Sequence, residues 1–307
     1  MNAEQNPESK KAWSDFWAQN RSSGQDGGCL PSKWQGIDAA QRAAWQSFAH
    51  TLPAKGHGLD IATGDGRVMA WLLKNKPNFK FLGVDLAPEL PPAPKGTKAK
   101  PGVPMERMPL PDNKFDAVVS QFGFEYGELP KAAAEIARVL KPGGKVGLIT
   151  HRIDGPILKH NLERRSQIQW ALEDQDLIAI AKRSLQLWAS GIRSVPPKIT
   201  NAPIEGAQKF GRGSAGWEIP EAIRQTLVMG VRDHPANVAN MLDTIAMRAK
   251  NEIGRIASLE YACKQTADSD LFLTALKDGG LEQIDRTDIV DPGSGSPVAD
   301  FRSITHN

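Results

Sequence analysis

The run Leu59-Asp60-Ile61-Ala62-Thr63-Gly64-Asp65-Gly66-Arg67 holds residue types suited to binding an anion or a sugar. It passes from a short apolar strand, through a glycine turn, into a helix. Gly64 and Gly66 permit positive φ and let a ligand come close to the backbone. The turn opens a helix N-terminus, where unpaired N–H groups and the dipole favour a carboxylate or phosphate. Downstream, Gly83-Val84-Asp85 closes the next strand with an acid, where a doubly wound fold presents a carboxylate to a ribose diol. The third glycine of the dinucleotide fingerprint would fall at Met69, so that fingerprint is incomplete. A strand–turn–helix without a ligand is the plain alternative.

Two later segments hold groups able to move protons. Ser120-Gln121-Phe122-Gly123-Phe124-Glu125-Tyr126 follows a strand, and there Glu125 and Tyr126 are candidates to orient or deprotonate a substrate. The competing reading makes the aromatics core and Glu125 a solvated loop acid. Thr150-His151-Arg152 ends a later strand, and a histidine so placed suits a general base because its unperturbed pKa lies near neutrality. A structural histidine is the alternative. Arg152, with His160 and Arg164 on one helix face, is a candidate to bind an acidic substrate. The alternative is a charged, solvated face.

The elements that must hold these residues alternate between strand and helix from residue 58 to 152. Strands are expected at 59–62, 79–85, 115–120 and 145–150, and helices at 67–74 and 131–140, the latter stopped by Lys141-Pro142-Gly143-Gly144. Strands too apolar to expose a face imply a parallel sheet covered on both sides. Prolines at 88, 91, 92, 94, 101 and 104 forbid a helix between the second and third strands, so an extended loop and a faint third strand are expected. Residues 153–267 break the rhythm and read as a mainly helical insertion, strongest near 235–261 and loop-like near 191–220. A helix near 270–277 and strands near 281–290 and 298–305 resume the pattern.

Composition narrows the classes. A net charge of +3 over 307 residues, without a basic tract, gives no call for nucleic acid. The two cysteines, Cys29 and Cys263, form no metal spacing or disulfide framework, so no metal is expected and the chain reads as one from a reducing compartment. With neither a signal peptide nor a membrane-spanning run, the expected location is cytoplasmic. The N-terminal tryptophans and phenylalanines (Trp13, Phe16, Trp17) suggest a lid or a wall of the substrate pocket, with packing onto the sheet as the alternative. Exposed aromatics there would also suit a homodimer.

Four motifs, in order, resemble those of the class I S-adenosylmethionine-dependent methyltransferases, particularly the small-molecule branch. They are Asp60 with Gly64 and Gly66, the strand-ending Asp85, the run Met108-Pro109-Leu110-Pro111-Asp112-Asn113-Lys114-Phe115-Asp116, and Arg138-Val139-Leu140-Lys141-Pro142-Gly143-Gly144. The resemblance covers about residues 58–152 and the C-terminal strands. It implies a doubly wound, seven-stranded, mostly parallel α/β fold and S-adenosylmethionine as cofactor. It further implies that Asp60 holds the amino end of the methionine part, that Ala62, Thr63, Gly64 and Gly66 line the cofactor, and that Asp85 accepts the ribose hydroxyls. Leu86, Met105 and Glu106 would flank the adenine, with Gln121 and Phe122 also facing the cofactor. Where the family often carries an acid this chain has Pro104, and Glu106 is the nearest substitute.

The expected division is therefore 1–56 as an N-terminal helical and aromatic segment, 57–152 with 268–307 as the cofactor domain, and 153–267 as an acceptor-binding insertion. The expected activity is methyl transfer to O, N or S of a small metabolite, with Trp17 helping to bind it. Three other readings stay open: an RNA or protein methyltransferase, a non-catalytic cofactor-binding module, and a nicotinamide-dependent dehydrogenase.

Overall fold

A computed structural model describes residues 35–188 and 190–306. Cys29, Trp13, Phe16 and Trp17, with the roles expected of them, lie outside the described residues. Chain contacts divide the molecule into two compact units, one made of the chain up to Leu158 and from Ser258 onward, the other Lys159–Ala257.

The first unit is built on seven strands: β1 (Lys55–Ile61), β2 (Asn78–Val84), β3 (Lys98–Lys100), β4 (Phe115–Gln121), β5 (Leu140–His151), β6 (Leu281–Val290) and β7 (Pro297–His306). Their order across the sheet is β3-β2-β1-β4-β5-β7-β6. β1 to β5 run parallel, and β7 enters antiparallel between β5 and β6. Strand order reverses between β1 and β4, the point where doubly wound sheets open a crevice at their carboxyl edge.

Helices α1 (Gln35–Thr51) and α2 (Arg67–Asn75) belong to one face of the sheet. Trp45 and Phe48 of α1, Leu52 just after it, and Val68, Met69 and Leu72 of α2 bury there with Val119, Ile149 and Phe301. Helix α3 (Leu129–Val139) and Phe272, Ala275 and Leu276 of a later helix bury against the opposite face with Leu59, Val118 and Leu148. With both faces covered, the central strands carry apolar residues on both sides, as their sequences require. Lys141-Pro142-Gly143-Gly144 does end α3, and it also forms the irregular first part of β5. No helix stands between β2 and β3, and β3 has only three residues. The prolines have that effect.

The recognisable motifs have structural jobs. Arg138 donates to the Met108 and Leu110 carbonyls and pairs with Glu135 and Asp112, clamping the loop before β4. Lys141 holds Asp116, which also accepts the His57 backbone N–H, at the amino end of the strands.

The second unit is helical. It takes in most of α4 (Pro156–Gln169), then α5 (Leu177–Trp188), α6 (Pro197–Phe210), α7 (Ala215–Met229) and α8 (Pro235–Ala267) up to Ala257. The final helix of the chain, α9 (Ser269–Asp278), precedes β6. The loop expected near 191–220 is instead mostly α6 and the start of α7. Pro197 occupies the first turn of α6, where its missing N–H costs nothing. Gly206 is there for close packing, since a Cβ on it would lie 1.8 Å from the Gly216 carbonyl oxygen. Proline and glycine at these positions start a helix and let two helices touch.

Candidate functional site

Loops at the carboxyl edge of β1, β2, β4 and β5 interlock. Gly64 and Gly66 take φ of +53° and +74°, the left-handed region that glycine enters freely. The Gly64 N–H donates to Asp85 Oδ2 at 2.9 Å, and the Ala87 N–H donates to Oδ1 at 2.9 Å. Asp85 is therefore aimed by the turn it faces, and burial raises its carboxyl above the usual range.

Asp60, at the end of β1, is 1 % exposed and accepts from Thr63 Oγ1 at 2.6 Å. Burial pushes its pKa up to about 8, and the neighbouring Asp65 and Asp85 charges add to the rise. A buried acid with one neutral donor suits a ligand that brings positive charge.

Ala62 follows β1 and Phe122 follows β4, and both hold positive φ, +52° and +55°. Such backbone is rare for residues with a side chain and clusters at functional sites. Between these loops Gly123 allows contact, because a Cβ there would meet the Ala62 Cβ at 2.5 Å. Ser120 Oγ donates to the Ile61 carbonyl and accepts from the Phe124 N–H, tying the same loops together.

The proton-moving candidates form one pair. Glu125, on a short 3₁₀ turn at 124–126, is fully buried rather than a solvated loop acid. Its Oε1 accepts the His151 backbone N–H at 3.0 Å and lies 2.8 Å from His151 Nδ1. That oxygen already accepts the backbone N–H, so Nδ1 donates to it, and in the neutral imidazole this tautomer leaves the lone pair on Nε2. Glu125 Oε2 has no hydrogen-bond partner among the described residues. Phe122 stacks on the imidazole with centroids 4.1 Å apart, and Tyr126 meets it edge-on at 5.8 Å.

Residues distant in sequence hold the pair. Gln265 Nε2 donates to the Glu125 carbonyl at 2.7 Å, and Thr266 Oγ1 donates to the His151 carbonyl at 2.7 Å. Arg302, 1 % exposed, donates to Thr150 Oγ1 and the Thr266 carbonyl, and burial draws its pKa down to about 10. Sequence reading missed Gln265, Thr266 and Arg302. They carry no motif, and the partners that tie them to the Glu125 and β5 segments lie more than a hundred residues away.

Several candidates are engaged elsewhere. Arg152 is matched by Asp154, Asp288 and Asp300, so its charge serves the sheet edge rather than a free acidic ligand. Arg164 pairs with Glu252 and Glu218 within the helical unit, which also holds His160. Glu106 Oε1 accepts the Glu128 N–H, and with Met105 it packs against Gly127. Leu86 is 39 % exposed beside Asp85. Gln121 is taken by Trp45 and Gln41. Among the described residues no cluster of three or more His, Cys, Asp or Glu could hold a metal, and no helix is long and apolar enough to cross a membrane.

Residues 59–148 match the methyltransferase domain family. Relatives include a demethylmenaquinone methyltransferase of Deinococcus radiodurans, 36 % identical over 124 residues, covering 37 % of this chain and 50 % of that protein. A second, from Thermus thermophilus, is 33 % identical over 96 residues, covering 29 % of this chain and 44 % of its own. A ubiquinone/menaquinone biosynthesis C-methyltransferase of Desulfotalea psychrophila is 33 % identical over 116 residues, covering 34 % and 46 %. The chain thus spans about half the length of the curated relatives it matches, or somewhat less. Among solved structures, Burkholderia thailandensis 1,6-didemethyltoxoflavin-N1-methyltransferase aligns over 100 % of this chain and 92 % of its own, at 11 % identity and a TM-score of 0.47.

Proposed function

We propose that this protein, whose residues 59–148 match the methyltransferase domain family, is an S-adenosylmethionine-dependent enzyme that methylates a small molecule which must first lose a proton. The observation that carries the reading is the buried Glu125–His151 pair at the carboxyl edge of the sheet.

The cofactor-side residues fit S-adenosylmethionine. The glycine turn leaves its backbone open to close approach, Asp85 offers a half-buried carboxylate to a diol, and Asp60 offers a buried one to an ammonium. When bound, S-adenosylmethionine supplies a methyl group on a sulfonium, transferred by in-line displacement. Glu125 fixes the imidazole tautomer, and His151 Nε2 takes the acceptor's proton. Buried negative charge on Glu125 stabilises the imidazolium that results. Phe122 and Tyr126 hold the ring in place and exclude water.

The acceptor is then a phenol, an enol or an ammonium. The names of the relatives, demethylmenaquinone methyltransferase and ubiquinone/menaquinone biosynthesis C-methyltransferase, favour a quinone-related ring, which carries phenolic protons in its reduced form. The basic side chains that would form an RNA groove are largely paired: Arg152 and Arg164 as above, Lys182 with Asp243, and Arg183 with Asp176. That pairing supports a small acceptor over nucleic acid. We assign acceptor selection in part to the helical unit, which lies outside the matched residues. Calorimetry with S-adenosylhomocysteine is expected to give micromolar binding to the wild-type protein, and absence of binding would sink the reading.

A further inference from the structure

Helix α1 brings polar side chains to the carboxyl edge. Asp38 lies 3.8 Å from Arg67 at the head of α2, and one helical turn on, Gln41 reaches Gln121 at the end of β4. The direction of the amides in that contact is fixed by chemistry. The indole of Trp45 can only donate, and its Nε1 lies 2.7 Å from Gln121, which must therefore turn its oxygen to it. Gln121 Nε2 then faces Gln41 and requires an acceptor, which is Gln41 Oε1 at 3.2 Å. Reversing either amide would set donor against donor. What remains is Gln41 Nε2, a donor with no partner among the described residues, on a side chain that is 0 % exposed. Buried amide N–H groups are seldom left unpaired, because losing water without a replacement is costly.

This donor belongs to the β4 side of the site rather than the cofactor turn. Gln121 precedes Phe122, whose ring stacks on His151, and the unpartnered Glu125 Oε2 follows three residues later. The glycine turn lies beyond β1 and Asp85 beyond β2, by contrast.

We propose that Gln41 binds the methyl acceptor, its Nε2 donating to an acceptor oxygen that becomes negative. This rests on the methyltransferase reading above. When the acceptor's O–H bond breaks, the proton goes to His151 Nε2 and the electron pair stays on the oxygen. A neutral amide donor placed there stabilises the oxyanion without giving it a proton. The substrate class is thereby narrowed to phenols and enols, over amines.

The test titrates protein loaded with S-adenosylhomocysteine, under anaerobic conditions, with 1,4-dihydroxynaphthalene and with naphthalene, following naphthyl fluorescence. Wild type is compared with Gln41→Glu, which keeps an acceptor for Gln121, and with Gln41→Leu, which keeps the volume. The diol is expected to bind wild type and to weaken at least tenfold in both variants. Naphthalene and S-adenosylhomocysteine affinities should shift less than twofold. Unchanged diol affinity, no diol binding to wild type, or a loss confined to S-adenosylhomocysteine would each overturn the proposal. Unfolding of both variants in a thermal melt would also overturn it, by giving Gln41 a purely structural role. If wild type fails to bind S-adenosylhomocysteine, the methyltransferase reading itself falls. If it binds but the variants match wild type, only the role of Gln41 falls.

Discussion

The two halves of the carboxyl edge are made of different material. Beyond β1 and β2 the groups we assign to the cofactor are largely backbone: the turn at Gly64 and Gly66, with the Asp85 side chain aimed by the Gly64 N–H. Beyond β4 and β5 the groups we assign to the acceptor are side chains from α1, the 124–126 turn and β5, held in place by the end of α8. A backbone cradle recognises what is constant in a ligand, and it tolerates change around it. A side-chain cluster can be rebuilt one residue at a time, and its members support one another. The first half therefore suits a shared cofactor, and the second suits a chosen acceptor.

Substitutions separate the halves. The largest expected effect is on turnover. His151→Ala is expected to lower turnover of a phenolic acceptor by about 10² to 10⁴ while leaving S-adenosylhomocysteine affinity within twofold, the range a lost general base gives. Equal loss of both in steady-state kinetics and calorimetry would erase the distinction between halves. Asp85→Ala should do the reverse, weakening S-adenosylhomocysteine by about 10²-fold, since each hydrogen bond to a charged group contributes about 1.5–3 kcal/mol. Calorimetry reads it directly.

The helical unit offers a mechanical contrast. Gly206→Val places side-chain atoms where the Gly216 carbonyl now sits and should cost about 3 kcal/mol, at the upper end of overpacking. Chemical denaturation would show it, and an unaltered midpoint would refute the close crossing of α6 and α7.

A smaller effect follows from Asp60. Its pKa of about 8 in the folded chain lies far above the ordinary carboxylate value, so the folded state keeps a proton that the unfolded chain releases. Stability from this group is then present below about pH 4 and declines as pH rises toward 8. Binding of a cationic ammonium favours the ionised form, so S-adenosylhomocysteine affinity should rise by up to about tenfold per pH unit below 8 and level off above it. Asp60→Asn should flatten both trends. A wild-type affinity independent of pH between 6 and 8 would show that Asp60 does not meet the amino group.

Much of the architecture was legible in the chain. Periodicity located the strands and helices of the α/β unit, and the prolines at 88–104 announced the missing helix. Where that reading failed, near 191–220, it took proline and glycine as breakers. Their meaning depends on position: a proline in a first turn starts a helix, and Gly206 faces another helix. For the site, the turn and Asp85 could be read because β1 and β2 are consecutive parallel strands, whose carboxyl ends a doubly wound fold sets side by side. His151 and Glu125 could be named one at a time.

The sequence alone determined the order of elements, the glycine turn and the acid that ends the next strand, since each follows from neighbours within a strand or a turn. Only the tertiary structure decided that Glu125 is buried against His151, that Arg152 is spent on three aspartates, and that Gln41 is left holding a donor. Those outcomes depend on which side chains meet across the sheet edge, and on which of them are cut off from water. Residues 26 to 140 positions apart along the chain carry no local signal of that meeting.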